Sequence, residues 1–161
     1  MNLDAGAQPV IHGSFTVTAD LDAPPARVFA AYSEPGLRRR WFRIPGGNSS
    51  HELDFQVGGH EASAGTFAPS GILEHLEYQS RFADIVPGQR IVFSYTFSLD
   101  GVRRWTSLVT IELAGTVAGT RLTHTEQYAY LAYAGEGEHD VAHLKGSTRL
   151  QMNALAVALE G

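Results

Sequence analysis

Residues 139–161 read HDVAHLKGSTRLQMNALAVALEG, and this stretch decides how the rest of the chain must fold. On a helical wheel its polar residues fall in one narrow row, while the other positions are mostly apolar or small. The polar row consists of Lys145, Arg149, Asn153 and Glu160. A helix of about 22 residues at about 1.5 Å each is about 33 Å long, enough to cross a small domain. We therefore predict a long C-terminal helix that other elements surround on most of its circumference.

Two small residues, Gly146 and Ser147, lie in the middle of this helix, and the apolar flank beyond them includes Leu150 and Val157. Glycine costs about 1 kcal/mol relative to alanine in a helix interior. Either another segment approaches closely here, or a space is left open beside the helix, or the glycine is simply tolerated in a packed core.

The middle of the chain has the pattern of an antiparallel sheet. Apolar residues alternate with polar ones in six stretches, and a further stretch of weaker pattern lies among them. The stretches are 14–21, 53–57, 60–67, 72–86, 90–99, 102–113 and 121–130. Asp100–Gly101 is the strongest hairpin signal among the turns that separate them. The long stretch 72–86 should contain a bend, and residues 45–50 should form a loop.

The order of these elements predicts an α+β fold. Two short helices follow the first strand. One starts at Asp22-Ala-Pro-Pro and ends at the break Glu34-Pro-Gly, and the other spans residues 37–42. The long helix follows the last strand. Because the sheet is apolar on one face it must be covered, and only the last helix is long enough to cover it. We predict a single domain over residues 14–161 after a flexible lead-in over residues 1–13. A space between sheet and helix is the expected site.

Composition excludes several classes of function. The chain has 161 residues and a net charge of −5, which argues against a nucleic-acid partner. The run Arg38–Arg40 is interpreted as a solvated helix edge. There is no cysteine, and therefore neither a disulfide nor a thiol nucleophile. No apolar run reaches the roughly 18 residues of a membrane span, so a cytoplasmic protein is expected. No motif indicates a cofactor, and none is expected.

The best polar pair for a functional site is His124 with Glu126. Strand periodicity places both on the apolar face of their strand, beside Tyr95 and Trp105. A carboxylate on such a face must be paired, hydrogen-bonded or neutral. The pair is therefore either a polar handle or an acid/base pair inside an aromatic cavity. Alternatively, Glu126 closes a loop or anchors backbone N–H groups near the end of its strand.

The remaining histidines give weaker signals. His139 and His143 have the spacing of helical metal ligands, but no third ligand is evident, so surface or packing roles are favoured and no metal is expected. His60 with Glu61 forms either a contact at the cavity rim or an exposed strand start.

Five motifs resemble one known superfamily. DAPPARVFAAYSEPGLRRRWF (22–42) resembles the opening of START-like (SRPBCC) proteins, whose birch-pollen-allergen-like members have the helix-grip fold. VGGHE (57–61), RFADIVPGQRIVFSY (81–95), SLVTIEL (107–113) and GTRLTHTEQ (119–127) resemble the subgroup named after the C-terminal domain of the heat-shock-protein-90 ATPase activator. The resemblance implies a curved antiparallel sheet around the C-terminal helix. It carries fold better than activity. Many relatives have a bulky aromatic near Ser147, so a roomier cavity is expected here.

We therefore expect a protein that binds a small hydrophobic or amphipathic molecule between sheet and helix. The predicted ligand-binding residues are Trp41, Phe67, Tyr95, Trp105, His124, Glu126, Tyr128, His143 and Ser147. One alternative is an enzyme of the polyketide cyclase, dehydratase or hydrolase kind with Glu126 and His124 in acid/base roles. The other is a protein-interaction module linked to a chaperone. A homodimer is compatible with a domain of this size.

Overall fold

The computed structural model describes residues 7–44 and 46–161, and in these residues seven strands form one sheet that three helices accompany. In chain order the elements are β1 (Ile11–Leu21), α1 (Pro25–Ser33), α2 (Pro35–Trp41), β2 (Gly47–Leu53), β3 (His60–Phe67), β4 (Glu74–Val86), β5 (Arg90–Leu99), β6 (Val102–Gly115), β7 (Thr120–Tyr130) and α3 (Glu138–Leu159). The predicted α+β helix-grip fold is confirmed.

The sheet is antiparallel throughout, in the order β1-β7-β6-β5-β4-β3-β2. Strands β2 to β7 follow one another as hairpins, and β1 closes the other side by pairing with β7. Asp100 and Gly101 join β5 to β6 with φ angles of 50° and 78°, as the hairpin signal predicted. The predicted bend is a register shift in β4 between Phe82 and Asp84.

Helix α3 contacts the sheet with one face only. Leu144, Thr148, Met152 and Leu155 are its buried residues, and their spacing marks a single stripe. Leu150 and Val157 are 69% and 65% exposed, so the prediction that this flank is buried is wrong. The sheet lies on one side of the helix, and α1 and α2 contact it from another. The remaining side faces solvent.

Strand β2 lies earlier in the chain than predicted. It spans Gly47–Leu53, most of the stretch predicted as a loop, and residues 54–59 form a turn. Gly59 is required in this turn because a Cβ there would overlap the carbonyl oxygen of Asp54. Phe55, which the alternation placed in a strand, packs from the turn against Phe82 at 4.9 Å between ring centroids. The alternation of residues 53–57 therefore reflects a core contact made by a turn.

The first strand also begins earlier than predicted, at Ile11 instead of Ser14. Just before it, Gln8 and Tyr133 exchange two hydrogen bonds, of 3.1 and 3.0 Å, between side chain and backbone. Part of the predicted flexible lead-in is thus hydrogen-bonded to the segment that follows β7. Residues 1–6 of that lead-in lie outside the described residues.

Candidate functional site

A cavity of about 560 Å³ lies between the concave face of the sheet and α3. Aromatic side chains from β4 to β7 form much of its wall because they recur at every second position of their strands. They include Tyr78, Phe93, Tyr95, Phe97, Trp105 and Tyr130. Helix α3 contributes Leu144, Ser147, Thr148, Leu150 and Met152.

The structure brings all but one of the predicted site residues to this cavity. Those that line it are Trp41, Phe67, Tyr95, Trp105, His124, Glu126, His143 and Ser147. Tyr128, on the same strand face, instead packs over Gly13 of β1, where any Cβ would overlap the tyrosine ring. Its ring lies 6.2 Å from that of Phe15. Glycine at position 13 leaves the space into which Tyr128 leans, away from the cavity.

A chain of hydrogen bonds ends on the carboxylate of Glu126. Trp105 Nε1 donates to the Tyr95 hydroxyl at 2.9 Å, and Tyr95 donates to Glu126 Oε2 at 2.5 Å. His124 Nε2 lies 2.9 Å from the other carboxylate oxygen, Oε1. Glu126 is 1% exposed and His124 6% exposed, as their strand positions predicted. Side chains engage both oxygens of Glu126, which differs from the alternative in which it anchors backbone N–H groups.

The donors and acceptors in this series of hydrogen bonds determine where its protons lie. Burial and the neighbouring Glu126 carboxylate raise the pKa of Tyr95, which keeps its proton. Trp105 can only donate, so the proton of Tyr95 points to Glu126. His124 Nδ1 is buried and has no partner among the described residues. A proton on Nδ1 would be a buried donor without an acceptor, so the ring proton is assigned to Nε2. In this arrangement a neutral His124 donates from Nε2 to an ionised Glu126.

Beside the cavity lies a second buried carboxylate, Glu61, which forms a bidentate ion pair with Arg38. Arg38 Nε and Nη2 each lie 2.8 Å from a Glu61 oxygen. His51 Nε2 adds a contact of 2.9 Å to Glu61 Oε2. Arg39 donates to the opposite ring nitrogen of His51, so the proton of the His51 ring lies on Nε2 and points to Glu61. Arg38 itself lines the cavity.

Three aromatic rings enclose the guanidinium of Arg38. Its central carbon lies 3.9, 4.5 and 5.2 Å from the ring centroids of Phe42, Trp41 and Tyr32. Contacts of this length are cation–π interactions. The prediction of a solvated helix edge is right for Arg39 and Arg40, which are exposed, and wrong for Arg38, which is 4% exposed.

Two signals in the sequence could have identified the Arg38–Glu61 pair. Arg38 lies three residues before Trp41, on the same helix face, so burial of the tryptophan carries the arginine inward. Glu61 and His60 are neighbours in a strand, so they lie on opposite faces of the sheet, and the sheet has one apolar face that must be covered. The structure exposes His60 and buries Glu61, a split that the predicted rim contact and exposed strand start both overlooked.

At the other end of the cavity, Arg104 and Asp140 connect β6 to the start of α3. Arg104 Nη2 lies 2.9 Å from Asp140 Oδ1, and Arg104 Nε donates to the Ala132 carbonyl at 2.9 Å. Near this pair, His139 and His143 are exposed on α3. No group of three potential metal-ligating side chains occurs within residues 7–44 and 46–161. In the same ranges, no helix is long and apolar enough to cross a membrane.

Comparison with known proteins gives a family match over residues 22–160, to the family described as "Activator of Hsp90 ATPase homolog 1-like protein". An uncharacterised protein from Rhizobium leguminosarum is 32% identical, with a TM-score of 0.80 over 94% of this chain and 97% of that one. The Mll3558 protein from Rhizobium loti is 36% identical, with a TM-score of 0.79 over 94% and 99% of the two chains.

More distant structures share the fold alone. Protein CV1439 from Chromobacterium violaceum is 23% identical, with a TM-score of 0.68 over 92% of this chain and 98% of that one. No match is found among the curated proteins. The family match over nearly the whole chain and the likeness to the two rhizobial structures show that the chain belongs to the activator of Hsp90 ATPase homolog 1-like family.

Proposed function

We propose that this protein binds a small hydrophobic or amphipathic molecule in the cavity between its sheet and α3. The observation that carries the proposal is an aromatic cavity of about 560 Å³ with a few converging polar groups at one wall. Small-molecule sites are typically about 300–1,000 Å³ and combine apolar walls with a few polar groups that orient the ligand. Glu126, Tyr95 and His124 are the orienting groups.

Burial of the ligand's apolar surface provides the driving force, at about 25 cal/mol per Å² before the costs of association. Phe67 lines the cavity and is 37% exposed, so it lies where the cavity wall meets solvent. Ser147 lines the same cavity from α3, and its hydroxyl is bonded only within the helix, to the His143 carbonyl at 2.6 Å. A larger side chain at position 147 can therefore reduce the cavity without removing a bond between elements.

Native mass spectrometry of protein taken directly from its expression host tests the proposal. We expect an adduct of roughly a few hundred daltons, the size range such cavities enclose, that is lost on denaturation. The Ser147→Trp variant should lose the adduct while its circular dichroism spectrum stays that of the wild type. Arg149→Trp, an exposed position on the same helix, is the matched control and should keep the adduct. An adduct retained equally by Ser147→Trp would contradict binding in this cavity.

An enzyme of the cyclase, dehydratase or hydrolase kind is the second function that a specific observation favours. His124 and Glu126 form a hydrogen-bonded pair inside the cavity, the arrangement that general acid/base catalysis uses. If the native ligand is turned over, Glu126→Gln should abolish the pH dependence of the rate and lower kcat by about 10²-fold or more. Unchanged turnover in that variant would exclude an acid/base role for Glu126.

A further inference from the structure

Among the described residues, the charges around the cavity leave one fully buried carboxylate, Glu126, without an opposite charge. Arg38 is paired with Glu61 at 2.8 Å, and Arg104 is paired with Asp140 at 2.9 Å. The hydrogen-bond partners of Glu126, by contrast, are the neutral hydroxyl of Tyr95 and the imidazole of His124, whose Nδ1 has no acceptor among the described residues that could take a second ring proton. The deep wall of the cavity therefore carries a negative charge.

The other charged groups that line the cavity do not offset this charge. Arg43 is exposed and donates its Nε–H to the Arg39 carbonyl at 2.8 Å. Glu74, half-buried at the start of β4, is also a carboxylate and so has the same sign as Glu126. Charges in contact with solvent are screened, whereas the charge of Glu126, at 1% exposure, is not.

The aromatic side chains next to Glu126 add to the attraction for a cation. Tyr95 is hydrogen-bonded to Glu126 and Trp105 to Tyr95, and both rings line the cavity together with Phe97 and Tyr130. Aromatic ring faces attract ammonium and guanidinium groups, with an energy that grows as water is excluded.

The protein already uses this combination of groups to hold a cation elsewhere in the same cavity wall. Around Arg38, one buried carboxylate and three aromatic rings hold a guanidinium. Around Glu126, a buried carboxylate lies among aromatic rings in the same way, and its protein partners are neutral. A positive group on the ligand would offset the cost of burying the Glu126 charge, as Arg38 does for Glu61.

We propose that the molecule bound in this cavity is an amphipathic organic cation, with an ammonium or guanidinium group beside Glu126, Tyr95 and Trp105 and its apolar part along the rest of the cavity. This inference rests on the proposed ligand-binding function and names the chemical class of ligand. An organic anion of the same shape is disfavoured because its charge would lie next to the carboxylate.

Isothermal titration calorimetry at pH 7 with three ligands of equal chain length tests the inference: octylammonium, octanol and octanoate. We expect octylammonium to bind about tenfold or more tightly than octanol, and octanoate to bind most weakly. In Glu126→Gln the advantage of octylammonium over octanol should fall below about threefold. Glu112→Gln makes the same change on the exposed face of β6 and should leave the advantage intact.

The Tyr95→Phe variant keeps the test decisive if Glu126→Gln does not fold. It preserves the carboxylate and removes one neutral donor, so the advantage of octylammonium should persist or grow. Three outcomes would overturn the inference while ligand binding stands. Octanoate could bind the wild type as tightly as octylammonium does. The advantage of octylammonium over octanol could also survive in folded Glu126→Gln, or disappear in Tyr95→Phe. If none of the three ligands binds the wild type, the proposed function fails, and this inference fails with it.

Discussion

Glu61 is the residue at which burial and charge oppose each other most directly. Burial by itself raises the pKa of Glu61. The adjacent Arg38 charge and the hydrogen bonds from Arg38 and His51 lower this pKa by more than burial raises it, so that it falls from its usual 4.5 to about 2. A buried pair of this kind is costly to break, by about 3–5 kcal/mol, because the remaining charge is left unpaired. The contact joins α2 to β3, so acid that protonates Glu61 also loosens the wall of the cavity.

The ion pair of Arg38 and Glu61 should make the free energy of unfolding depend on pH. Because the pKa of Glu61 is lower in the folded than in the unfolded chain, the unfolded chain binds more protons between pH 4.5 and about 2. The stabilisation is fully present above pH 4.5 and is lost as the pH falls towards 2. We expect the wild type to lose on the order of 3 kcal/mol of unfolding free energy through Glu61 in this window.

Urea denaturation at a series of pH values measures this loss. Glu61→Gln should be less stable than the wild type at pH 7 and should lose less stability on acidification. Glu52→Gln, at an exposed carboxylate on the neighbouring strand, should follow the wild-type curve. A Glu61→Gln curve parallel to that of the wild type between pH 4.5 and 2 would refute the depressed pKa of Glu61.

At the residue scale, sequence reasoning succeeded where strand periodicity determined the direction of a side chain. His124 and Glu126 were placed inside because their neighbours on the strand alternate strictly. Arg38 was missed because three consecutive arginines look equivalent until the burial of Trp41 is known. The direction of Tyr128 could not be predicted either, since it depends on Gly13, its partner in another strand.

At the scale of elements, Gly146 marks a position of α3 that no other segment approaches closely. A Cβ added at this position would have no neighbour within 4 Å. Of the alternatives for Gly146, the structure therefore shows an open space and no close approach of another segment. The glycine therefore carries the cost of its backbone freedom with no packing benefit.

Gly146→Ala should accordingly stabilise the protein by about 0.5–1 kcal/mol. Gly137→Ala is the matched control: Gly137 caps α3 at a φ of 83°, and a Cβ there would collide with Ile11. That variant should destabilise the protein. Thermal unfolding of both variants compares them, and a lower Tm for Gly146→Ala would show that position 146 is more crowded than the structure indicates.

Strands were predicted well where they have an apolar face, and poorly at β2, which has almost none. The central strands β5 and β6 have one apolar face each, and their residues alternate visibly. Strand β2, with the sequence GNSSHEL, has almost no apolar face, and it forms because β3 offers it a hydrogen-bonding edge. An edge strand without an apolar face leaves no signal in the alternation of apolar and polar residues.

On the scale of the whole molecule, α3 is fixed at both ends and spans the cavity between them. At its start, Asp140 accepts hydrogen bonds from Arg104 and from the Ala134 amide, at 2.9 and 3.1 Å. At its end, Arg27 of α1 donates to the Gly161 carbonyl at 2.7 Å. The need to cover an apolar sheet predicted this arrangement, but the volume left beneath the helix depends on which face of α3 rests on the sheet. The orientation found in the structure exposes Leu150, and the sequence did not predict it.

Because the two ends of α3 are held separately, they should loosen separately. Asp140→Ala removes both bonds at the start, and the lost charge-assisted contact is worth roughly 1.5–3 kcal/mol, or about tenfold to a hundredfold in local opening. We expect amide hydrogen exchange to accelerate by about that factor in residues 142–148 and to stay unchanged in residues 152–159. Asp20→Ala removes an exposed pair with Arg121 and should change neither segment. Equal acceleration along the whole helix would mean that α3 opens as one unit and would contradict separate attachment of its two ends.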